Sequence, residues 1–432
     1  MPNKHEPWQL QQMQSLPLHA KVAMTRQRIR EWVDYWNARG EDVHVSFSGG
    51  KDSTVLLHIA REMYPDMPAI FCDTGLEYPE IRKFAMSHES VTVLRPKMRF
   101  PEVIRTYGYP LISKEVAEAI HYARRIGGGA ETVRKSIELT HGKVSHRTSR
   151  DGETIYLAPR EFRGGYTGMD RTPRRKRIEF GGKKKQTDHD ITRSFAQDSS
   201  ERGDLAQAGM IAQRSQYDKS KYLPIARDLP APISHYCCNI MKKMPAKKYS
   251  RANKSHPIIG TLADESVLRR QAWLRHGCNA FDSADPTSNP MSFWLEQDVL
   301  QYILENDIEI CSVYGDIVPA DGQVSLMDEG PCKMKCSGCP RTGCVYCAFG
   351  AHLEKESRFI RLKETHPAMY KYCIEGGQWA DNPAYVPDAP EYDGEWKNWN
   401  PQKIWVPSQK GLGMGALFDM VNELYGKEMF KY

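Results

Sequence analysis

The chain has 432 residues, of which 40% are hydrophobic, and its formal net charge is +6 at pH 7. This length exceeds what one compact domain ordinarily needs, and the apolar content excludes wholesale disorder. No apolar run is long enough to cross a bilayer, and the first residues lack the basic-then-apolar pattern of a signal peptide. We therefore expect a cytoplasmic protein that does not contact membranes, built from a core domain and appended modules.

Alternating apolar patterns define the first part of the chain. They predict helices over residues 19–37, 54–63 and 79–88, a short buried strand over 43–47, and further strands over 69–72 and 91–94. The order strand, helix, strand, helix, strand indicates a doubly wound, mainly parallel α/β sheet with flanking helices. Ligands bind such folds at the carboxyl edge of the strands, so the segments that follow the first two strands are candidate site loops.

The rest of the chain divides by composition. We expect the sheet domain to be formed by two halves, residues 1–125 and 226–330, with a basic insertion over 126–225 between them. A Cys-rich loop with a helix follows over 331–379, and an irregular tail over 380–432. The basic residues of the insertion are densest in the stretch 171–185, which contains Arg174, Arg175, Lys176, Arg177, Lys183, Lys184 and Lys185. This excess indicates either a polyanionic partner such as DNA or tRNA, or a solvated loop.

A Gly-rich loop lies between the first predicted strand and the helix that follows it. The loop reads Ser48-Gly49-Gly50-Lys51-Asp52-Ser53. Two glycines allow the backbone to turn with its N–H groups directed at a ligand, and the helix start adds the positive end of its dipole. Serine hydroxyls and a lysine supply further anion donors. The pattern predicts a phosphate site, although it lacks the Gly-x4-Gly-Lys-Ser/Thr spacing of common NTPases.

This loop resembles the PP-loop of the ATP pyrophosphatase superfamily, and two further segments resemble its PAPS reductase-like branch. One is Asp73-Thr74-Gly75 with Glu77, and the other is the segment 259–266 with Arg269 and Arg270. The resemblance covers roughly residues 20–120 and 230–365. It implies ATP, or another adenine nucleotide, with Mg²⁺ as cofactors, and Lys51, Asp52 and Asp73 as catalytic residues. The implied nucleotide-binding set is Ser46, Ser48, Gly49, Gly50, Lys51, Asp52, Ser53, Asp73, Thr74, Gly75, Glu77, Arg269 and Arg270.

The 11 cysteines are unevenly placed. Cys237 and Cys238 are adjacent, and five more fall within residues 332–347. An odd number in a chain expected to be intracellular argues against a disulfide framework, and bunched thiols indicate a metal or a cluster. Four others stand alone and are predicted as core residues: Cys72, Cys278, Cys311 and Cys373.

The adjacent cysteines and a distant Cys-x2-Cys resemble the [4Fe-4S] site of iron–sulfur sulfonucleotide reductases. The resemblance implies four thiolate ligands, Cys237, Cys238, Cys344 and Cys347. Three cysteines are extra to that pattern and serve as alternates: Cys332, Cys336 and Cys339. The alternative is a Zn²⁺ ion held by two Cys-x2-Cys pairs, 336–339 and 344–347. A third hypothesis, that the chain binds no metal, does not explain why five cysteines fall within residues 332–347.

The chain departs from sulfonucleotide reductases in two ways. It lacks a C-terminal Glu-Cys-Gly-x-His-type motif, for which Cys373 is a poor substitute, and its phosphate loop is complete. The first hypothesis is therefore an ATP-dependent, pyrophosphate-releasing sulfur-transfer enzyme, similar to DNA phosphorothioation enzymes and tRNA thiolases, supplied by a sulfur donor protein. The second is a PAPS or APS reductase with a thiol donor such as thioredoxin. The third is a non-catalytic nucleotide sensor.

Overall fold

The computed structural model describes residues 4–124, 145–148, 154–157, 177–178, 219–320, 333–387 and 399–432. Their contacts divide the chain into two compact units. The first unit comprises Met1–Phe100 and Cys238–Val345, and the second comprises Pro101–Cys237 and Tyr346–Tyr432. No helix in these ranges is both long and apolar enough to span a membrane.

The helices are numbered in chain order. They are α1 (Pro7–Gln14), α2 (Leu18–Asn37), α3 (Lys51–Met63), α4 (Pro79–Ser87), α5 (Phe100–Tyr107), α6 (Lys114–Ala123), α7 (Leu223–Asp228), α8 (Met244–Ala252), α9 (Val267–His276), α10 (Glu296–Glu305), α11 (Arg358–Thr365), α12 (Pro367–Ile374) and α13 (Met414–Tyr425).

The strands are short. They are β1 (Asp42–Ser46), β2 (Ala69–Cys72), β3 (Val91–Leu94), β4 (Leu111–Ile112), β5 (Ser145–Thr148), β6 (Thr154–Leu157), β7 (Arg177–Ile178), β8 (Ser255–Ile259), β9 (Asn279–Ala280), β10 (Thr287–Ser288), β11 (Ile317–Pro319), β12 (Met334–Cys336), β13 (Ala348–Phe349), β14 (Gln378–Asp381) and β15 (Lys403–Val406).

The first unit is built on a six-stranded sheet. Its strand order is β3-β2-β1-β8-β10-β9, and every neighbouring pair is parallel except β10 and β9. In the register, Ser46 at the end of β1 lies opposite both Ile70 and Ile259. The mainly parallel α/β fold predicted from the alternating pattern is therefore confirmed, and β1, which precedes the phosphate loop, is an inner strand.

Apolar helix faces cover this sheet and hold β1 in place. Helix α2 buries Ile29, Trp32 and Val33, and α3 buries a run of branched and leucine side chains. The polar exception in the strand is His44, whose ring lies 2.7 Å from the Ser255 hydroxyl of β8 and is fully buried. Burial lowers the pKa of His44 to about 4, so this imidazole is neutral at physiological pH.

The second unit contains short two-stranded pairs and helices. Strands β4 and β13 are parallel, β14 and β15 are antiparallel, and β5, β6 and β7 form an antiparallel sheet. The guanidinium of Arg124 is buried and donates to four backbone carbonyls around α7 and the turn that follows it, at 2.6–2.9 Å. It thereby satisfies groups that the end of a short helix leaves unpaired.

The prediction of an irregular tail over residues 380–432 is wrong. Residues 378–381 and 403–406 pair as β14 and β15, and α13 buries Leu417, Phe418 and Val421 along one face. Gly413 and Gly426 bound this helix with positive φ values of 67° and 58°. The abundance of Trp, Pro and Asn nearby obscured a helical repeat that glycine boundaries should have revealed.

Candidate functional site

The predicted phosphate loop connects β1 to α3 within the first unit. Helix α3 begins at Lys51, three residues earlier than predicted, and Gly50 precedes it without a side-chain cap. Gly49 has φ +72°, and a Cβ there would lie 3.0 Å from both Cγ2 and the carbonyl oxygen of Ile81. The conformation and the close approach of α4 therefore both require glycine at this position.

Two serines fix the shape of the loop. The Ser48 backbone N–H donates to Oγ of Ser53 at 3.1 Å, and the two hydroxyls are 3.0 Å apart. The Ser53 hydroxyl also donates to the Gly50 carbonyl at 2.8 Å. These bonds order the loop at the start of α3, where backbone N–H groups and the helix dipole favour an anion.

Lys51 is buried and lies between two carboxylates. Its Nζ is 3.1 Å from Oε1 of Glu296 and 3.8 Å from Oδ1 of Asp52. Burial acts to lower the pKa of Lys51, but Asp52 and Glu296 offset it and the net pKa is raised. The lysine is consequently charged over the whole physiological range, as a phosphate ligand should be.

The Asp52 carboxylate has fewer stabilising contacts than the Lys51 ammonium. Its Oδ1 is buried and receives no hydrogen bond from the described residues. Burial raises the pKa of Asp52, although Lys51, Arg341 and Arg269 oppose the shift. A buried acceptor without a donor is uncommon in proteins, and it leaves Asp52 able to take a cation or a donor from a ligand.

Tyr314 closes the loop from the side of the Cys-rich segment. The Lys51 backbone N–H donates to the Tyr314 hydroxyl at 3.1 Å, and that hydroxyl lies 2.5 Å from Oγ1 of Thr342. Burial raises the pKa of Tyr314 to about 12, so the phenol is neutral at physiological pH. The neutral hydroxyl oxygen of Tyr314 thus accepts the hydrogen bond of one backbone N–H group at the start of α3.

The second predicted block follows β2 as a closed polar loop. Asp73 accepts from Nε of Arg82 at 3.1 Å and of Arg95 at 3.3 Å. Glu77 accepts from the Thr74 hydroxyl at 2.8 Å and lies 3.3 Å from Nζ of Lys242. Asp73 is therefore paired with two arginines, whereas Oδ1 of Asp52, the other predicted catalytic carboxylate, has no hydrogen-bond donor among the described residues.

The third predicted block follows β8. A Cβ on Gly260 would lie 3.0 Å from the Asp52 carbonyl oxygen, so this turn packs against the phosphate loop. Glu265 forms ion pairs with Arg269 and with Arg341, the latter at 2.6 Å. Burial and the charge of Arg341 lower the pKa of Arg269, while Asp52 raises it. Arg269 thus shares its environment with the loop.

Arg270 is placed differently from its neighbour. It pairs with Asp264 at 3.1 Å, and about half of each of these two side chains is exposed. The predicted contact of Arg270 with a nucleotide stays a prediction, because this ion pair points to no role in the phosphate loop.

Two of the predicted cluster ligands share one environment in the first unit. Cys344 is hydrogen-bonded to Lys242 and interacts electrostatically with Glu77 and Cys238. Desolvation raises the pKa of the Cys344 thiol, against the influence of Lys242. Cys238 directly precedes a π-helical turn, Asn239–Lys243, and such turns are frequent at functional sites.

The other cysteines are distributed more widely. Cys237 and Cys347 belong to the second unit. Cys336 ends β12, and Cys339 donates to the Arg341 carbonyl at 3.0 Å. Cys332 lies outside the described residues. Within the described ranges, no three Cys, His, Asp or Glu side chains converge as a metal ion requires.

The lone cysteines were predicted as core residues. Cys278, Cys311 and Cys373 are buried as expected. Cys72 is only partly buried, and its thiol lies 3.6 Å from the Lys242 carbonyl oxygen at the end of β2. Desolvation raises the pKa of the Cys72 thiol to about 11.

A comparison with family models decides the family. The model described as the phosphoadenosine phosphosulfate reductase domain matches residues 42–117 and 200–349, which is just over half of the chain. The chain belongs to this family. The first matched segment contains the phosphate loop and the Asp73–Glu77 loop, and the second contains the block after β8 and all the clustered cysteines. This confirms the resemblance on which the site prediction rested.

Two other proteins are similar to this member of the reductase domain family. An uncharacterized protein of Methanocaldococcus jannaschii is 31% identical over 86 residues, which are 19% of this chain and 21% of that protein. The chain thus matches about a fifth of the length of this relative. The crystal structure of a phosphoadenylyl-sulfate reductase from Candida auris, in a phosphate complex, is 11% identical and has a TM-score of 0.28. That alignment covers 72% of this chain and 92% of the other.

Sequence reasoning missed several residues of this family member's site. Glu296, Tyr314, Arg341 and Thr342 all reach the phosphate loop or its partners through contacts distant in sequence. Glu296 is the first residue of α10 and lies 245 positions after Lys51 in the sequence. No local pattern distinguishes Tyr314 or Thr342.

Proposed function

We propose that the chain binds ATP at the phosphate loop and uses it to activate an acceptor for sulfur transfer. The observation that supports this most directly is the complete loop at the start of α3, with buried Lys51 and ordered Ser48 and Ser53. A nucleotide with a pyrophosphate unit needs such a set of donors, whereas a nucleotide without a β-phosphate does not.

The chemistry has two steps. An oxygen of the acceptor attacks the α-phosphorus of ATP, the bond to the bridging oxygen breaks, and pyrophosphate leaves with the electron pair. A sulfur nucleophile from the donor then attacks the acceptor atom that carries this oxygen, the bond between that atom and the oxygen breaks, and AMP departs with the oxygen. Lys51 and the loop N–H groups stabilise the charge that develops on pyrophosphate.

Of the two predicted catalytic carboxylates, Asp52 is better suited than Asp73 to a divalent cation. Its buried Oδ1 has no donor among the described residues, while Asp73 is paired with two arginines. Mg²⁺ on Asp52 would neutralise phosphate charge. The surrounding side chains, among them Arg269 and Arg341, would orient the acceptor substrate and exclude water.

A [4Fe-4S] cluster on Cys237, Cys238, Cys344 and Cys347 is part of this proposal. Its support is the interaction of Cys344 with Cys238 and the positive charge of Lys242 beside them. Thiolates suit iron–sulfur clusters, and zinc on the cysteines of 336–347 is the rival assignment.

A nucleic acid is the proposed acceptor. Its support is the basic sequence around 171–185, which suits contacts to a phosphate backbone. These residues lie outside the described part of the chain, apart from the backbone of β7.

The test is product analysis with anaerobically purified protein. Iron, sulfide and zinc contents are measured first, and the protein is then incubated with ATP. About four irons and four sulfides per chain, together with AMP and pyrophosphate, would support the proposal. Zinc without iron would remove the cluster but leave the nucleotide reaction standing.

A second candidate is the reductase activity that gives the family its name, supported by the family match itself and by the adjacent cysteines. Release of sulfite from PAPS or APS with thioredoxin present, without cleavage of ATP, would favour it. Nucleotide binding with neither reaction would instead indicate a sensor.

A further inference from the structure

The hydroxyl of Tyr314 takes a hydrogen bond that a phosphate would be expected to take. The Lys51 N–H belongs to the first turn of α3, where backbone donors have no partner within the helix. Here that N–H donates to the Tyr314 hydroxyl at 3.1 Å. A Cβ on Gly50 would also lie 3.2 Å from the same hydroxyl, so the phenol oxygen sits directly over the loop.

A phosphate oxygen is the stronger acceptor for this donor. Hydrogen bonds to a charged acceptor are roughly twice as strong as bonds between neutral groups, and the helix dipole adds to the difference. The phenol is neutral at physiological pH. Glu296 competes in the same way for the side chain of Lys51, at 3.1 Å, but its side chain is 56% exposed and can swing into solvent.

Tyr314 is also tied to the turn that carries two cysteines. The Gly338 N–H donates to the Tyr314 carbonyl at 2.8 Å, and the Cys339 N–H donates to the Val313 carbonyl at 2.9 Å. The Tyr314 hydroxyl lies 2.5 Å from Oγ1 of Thr342. Tyr314 thus contacts the phosphate loop through its side chain and the turn 336–342 through both its backbone and its side chain.

The segment that leads into this turn is hydrogen-bonded at Met334 to a residue next to Glu296, the partner of Lys51. The side-chain amide of Gln297 donates to the Met334 carbonyl at 2.9 Å and accepts from the Met334 N–H at 2.8 Å. Gln297 follows Glu296, the partner of Lys51, at the start of α10. Two of the contacts that hold the segment with Cys336 and Cys339 therefore adjoin groups that a bound phosphate would displace. The pairing of β12 with β11 and the ion pair of Arg341 with Glu265 hold the same segment independently of these groups.

We infer that Tyr314 is a positioning residue of the nucleotide site. When a nucleotide binds, a phosphate oxygen replaces the Tyr314 hydroxyl as the acceptor of the Lys51 N–H. The loss of this hydrogen bond loosens the turn that contains Cys336 and Cys339. The inference rests on the proposed binding of a pyrophosphate-bearing nucleotide. It gives the Cys-rich segment a means of responding to nucleotide, independent of any metal.

The first measurement is the affinity for inorganic pyrophosphate by titration calorimetry. Tyr314→Phe removes the competing hydroxyl and retains the ring. We expect it to bind pyrophosphate more tightly, by roughly two- to twelve-fold, which is the range that corresponds to one net neutral hydrogen bond. The matched control is Tyr302→Phe, whose hydroxyl bonds to Glu62 in the same unit, and it should leave the affinity unchanged.

The second measurement is alkylation of Cys336 and Cys339, followed residue by residue by mass spectrometry. In the unsubstituted protein, pyrophosphate should accelerate labelling of these buried thiols. In Tyr314→Phe, labelling should be fast without pyrophosphate and should no longer respond to it. Thr342→Val, which removes the other partner of the hydroxyl, should reproduce part of this effect.

The outcomes separate the two proposals. An unchanged or weaker affinity of Tyr314→Phe, or labelling that ignores bound pyrophosphate, would overturn the role of Tyr314 and leave the nucleotide site intact. If the unsubstituted protein bound neither pyrophosphate nor ATP, the proposed function would fail, and the inference with it. Melting curves of all variants establish that each is folded.

Discussion

Lys51 and Asp52 are adjacent in sequence but differ in how well their charges are stabilised. Two carboxylates surround the buried ammonium of Lys51, so its pKa is raised despite burial. Burial outweighs the nearby cations for Asp52, so its pKa is raised as well, which means that its charged form is disfavoured. A site that holds a cation or a ligand donor would relieve this cost. We therefore regard Asp52 as a residue kept for function at some expense of stability.

Replacement of Asp52 by Asn should be neutral or stabilising while it impairs nucleotide turnover. The folded protein binds a proton on Asp52 more tightly than the unfolded chain does, so stability falls as pH rises from about 3.8 through the raised pKa. Asp52→Asn removes this loss, and its melting temperature relative to the unsubstituted protein should increase from pH 4 to pH 7.

The control for that substitution is Asp66→Asn, which changes an exposed carboxylate outside the site. It should leave both the melting temperature and the turnover unchanged. A melting temperature of Asp52→Asn that falls below that of the unsubstituted protein at neutral pH would contradict this account of the carboxylate.

The elements that carry the site are a strand, a tight loop and a helix, and the loop depends on backbone conformation more than on side chains. Gly49 and Gly75, in the loops after β1 and β2, both have φ +72°. A Cβ at Gly49 would lie 3.0 Å from Ile81, whereas one at Gly75 would meet nothing within 4 Å. Substitution of Gly75 would therefore introduce backbone strain alone, whereas substitution of Gly49 would add steric overlap with α4.

Substitution of the two glycines by alanine should have unequal effects on stability. Gly75→Ala should cost about 1–2 kcal/mol, the penalty of a left-handed conformation for an L-residue. Gly49→Ala adds overpacking and should cost a further 1–3 kcal/mol or so. Urea unfolding of both variants gives the comparison, and equal losses would show that the approach of Ile81 does not constrain the loop.

Much of the core architecture could be predicted from the sequence because it is local. The strands 69–72 and 91–94 were predicted with their observed bounds, since short apolar runs between turn residues are typical of strands. The loop glycines and serines were found for the same reason. Glu296, Tyr314 and Thr342 could not be, because they reach the loop from segments more than 200 residues away. Their sequence neighbourhoods contain no sign of that contact.

At the scale of the whole molecule, the chain joins the unit that carries the phosphate loop to a second unit that begins at Pro101. The predicted segmentation followed motifs and placed its first boundary after residue 125, whereas the contacts place it after Phe100. The proposed contact with nucleic acid rests on the basic charge of the insertion and not on the sheet. That assignment is testable without knowledge of the reaction.

Removal of three clustered lysines should weaken binding to DNA or tRNA in a salt-dependent way. Every lysine–phosphate ion pair that is removed reduces the slope of log K against log salt by about 0.9 for duplex DNA and by about 0.7 for single strands. Simultaneous replacement of Lys183, Lys184 and Lys185 by Ala should therefore reduce the slope for duplex DNA by up to roughly 2.7. Fluorescence anisotropy at several salt concentrations measures it, and an unchanged slope would place the nucleic-acid surface elsewhere.

We propose that the loop at Lys51 holds the pyrophosphate unit of ATP. The most direct measurement is the rate of AMP and pyrophosphate formation from ATP by the unsubstituted protein, by Lys51→Ala and by Lys83→Ala, which changes an exposed lysine of α4. We expect Lys51→Ala to lose at least about 100-fold in rate, the scale of removing one electrostatic donor, while Lys83→Ala retains full activity. Equal rates for Lys51→Ala and the unsubstituted protein would contradict the assignment of the loop.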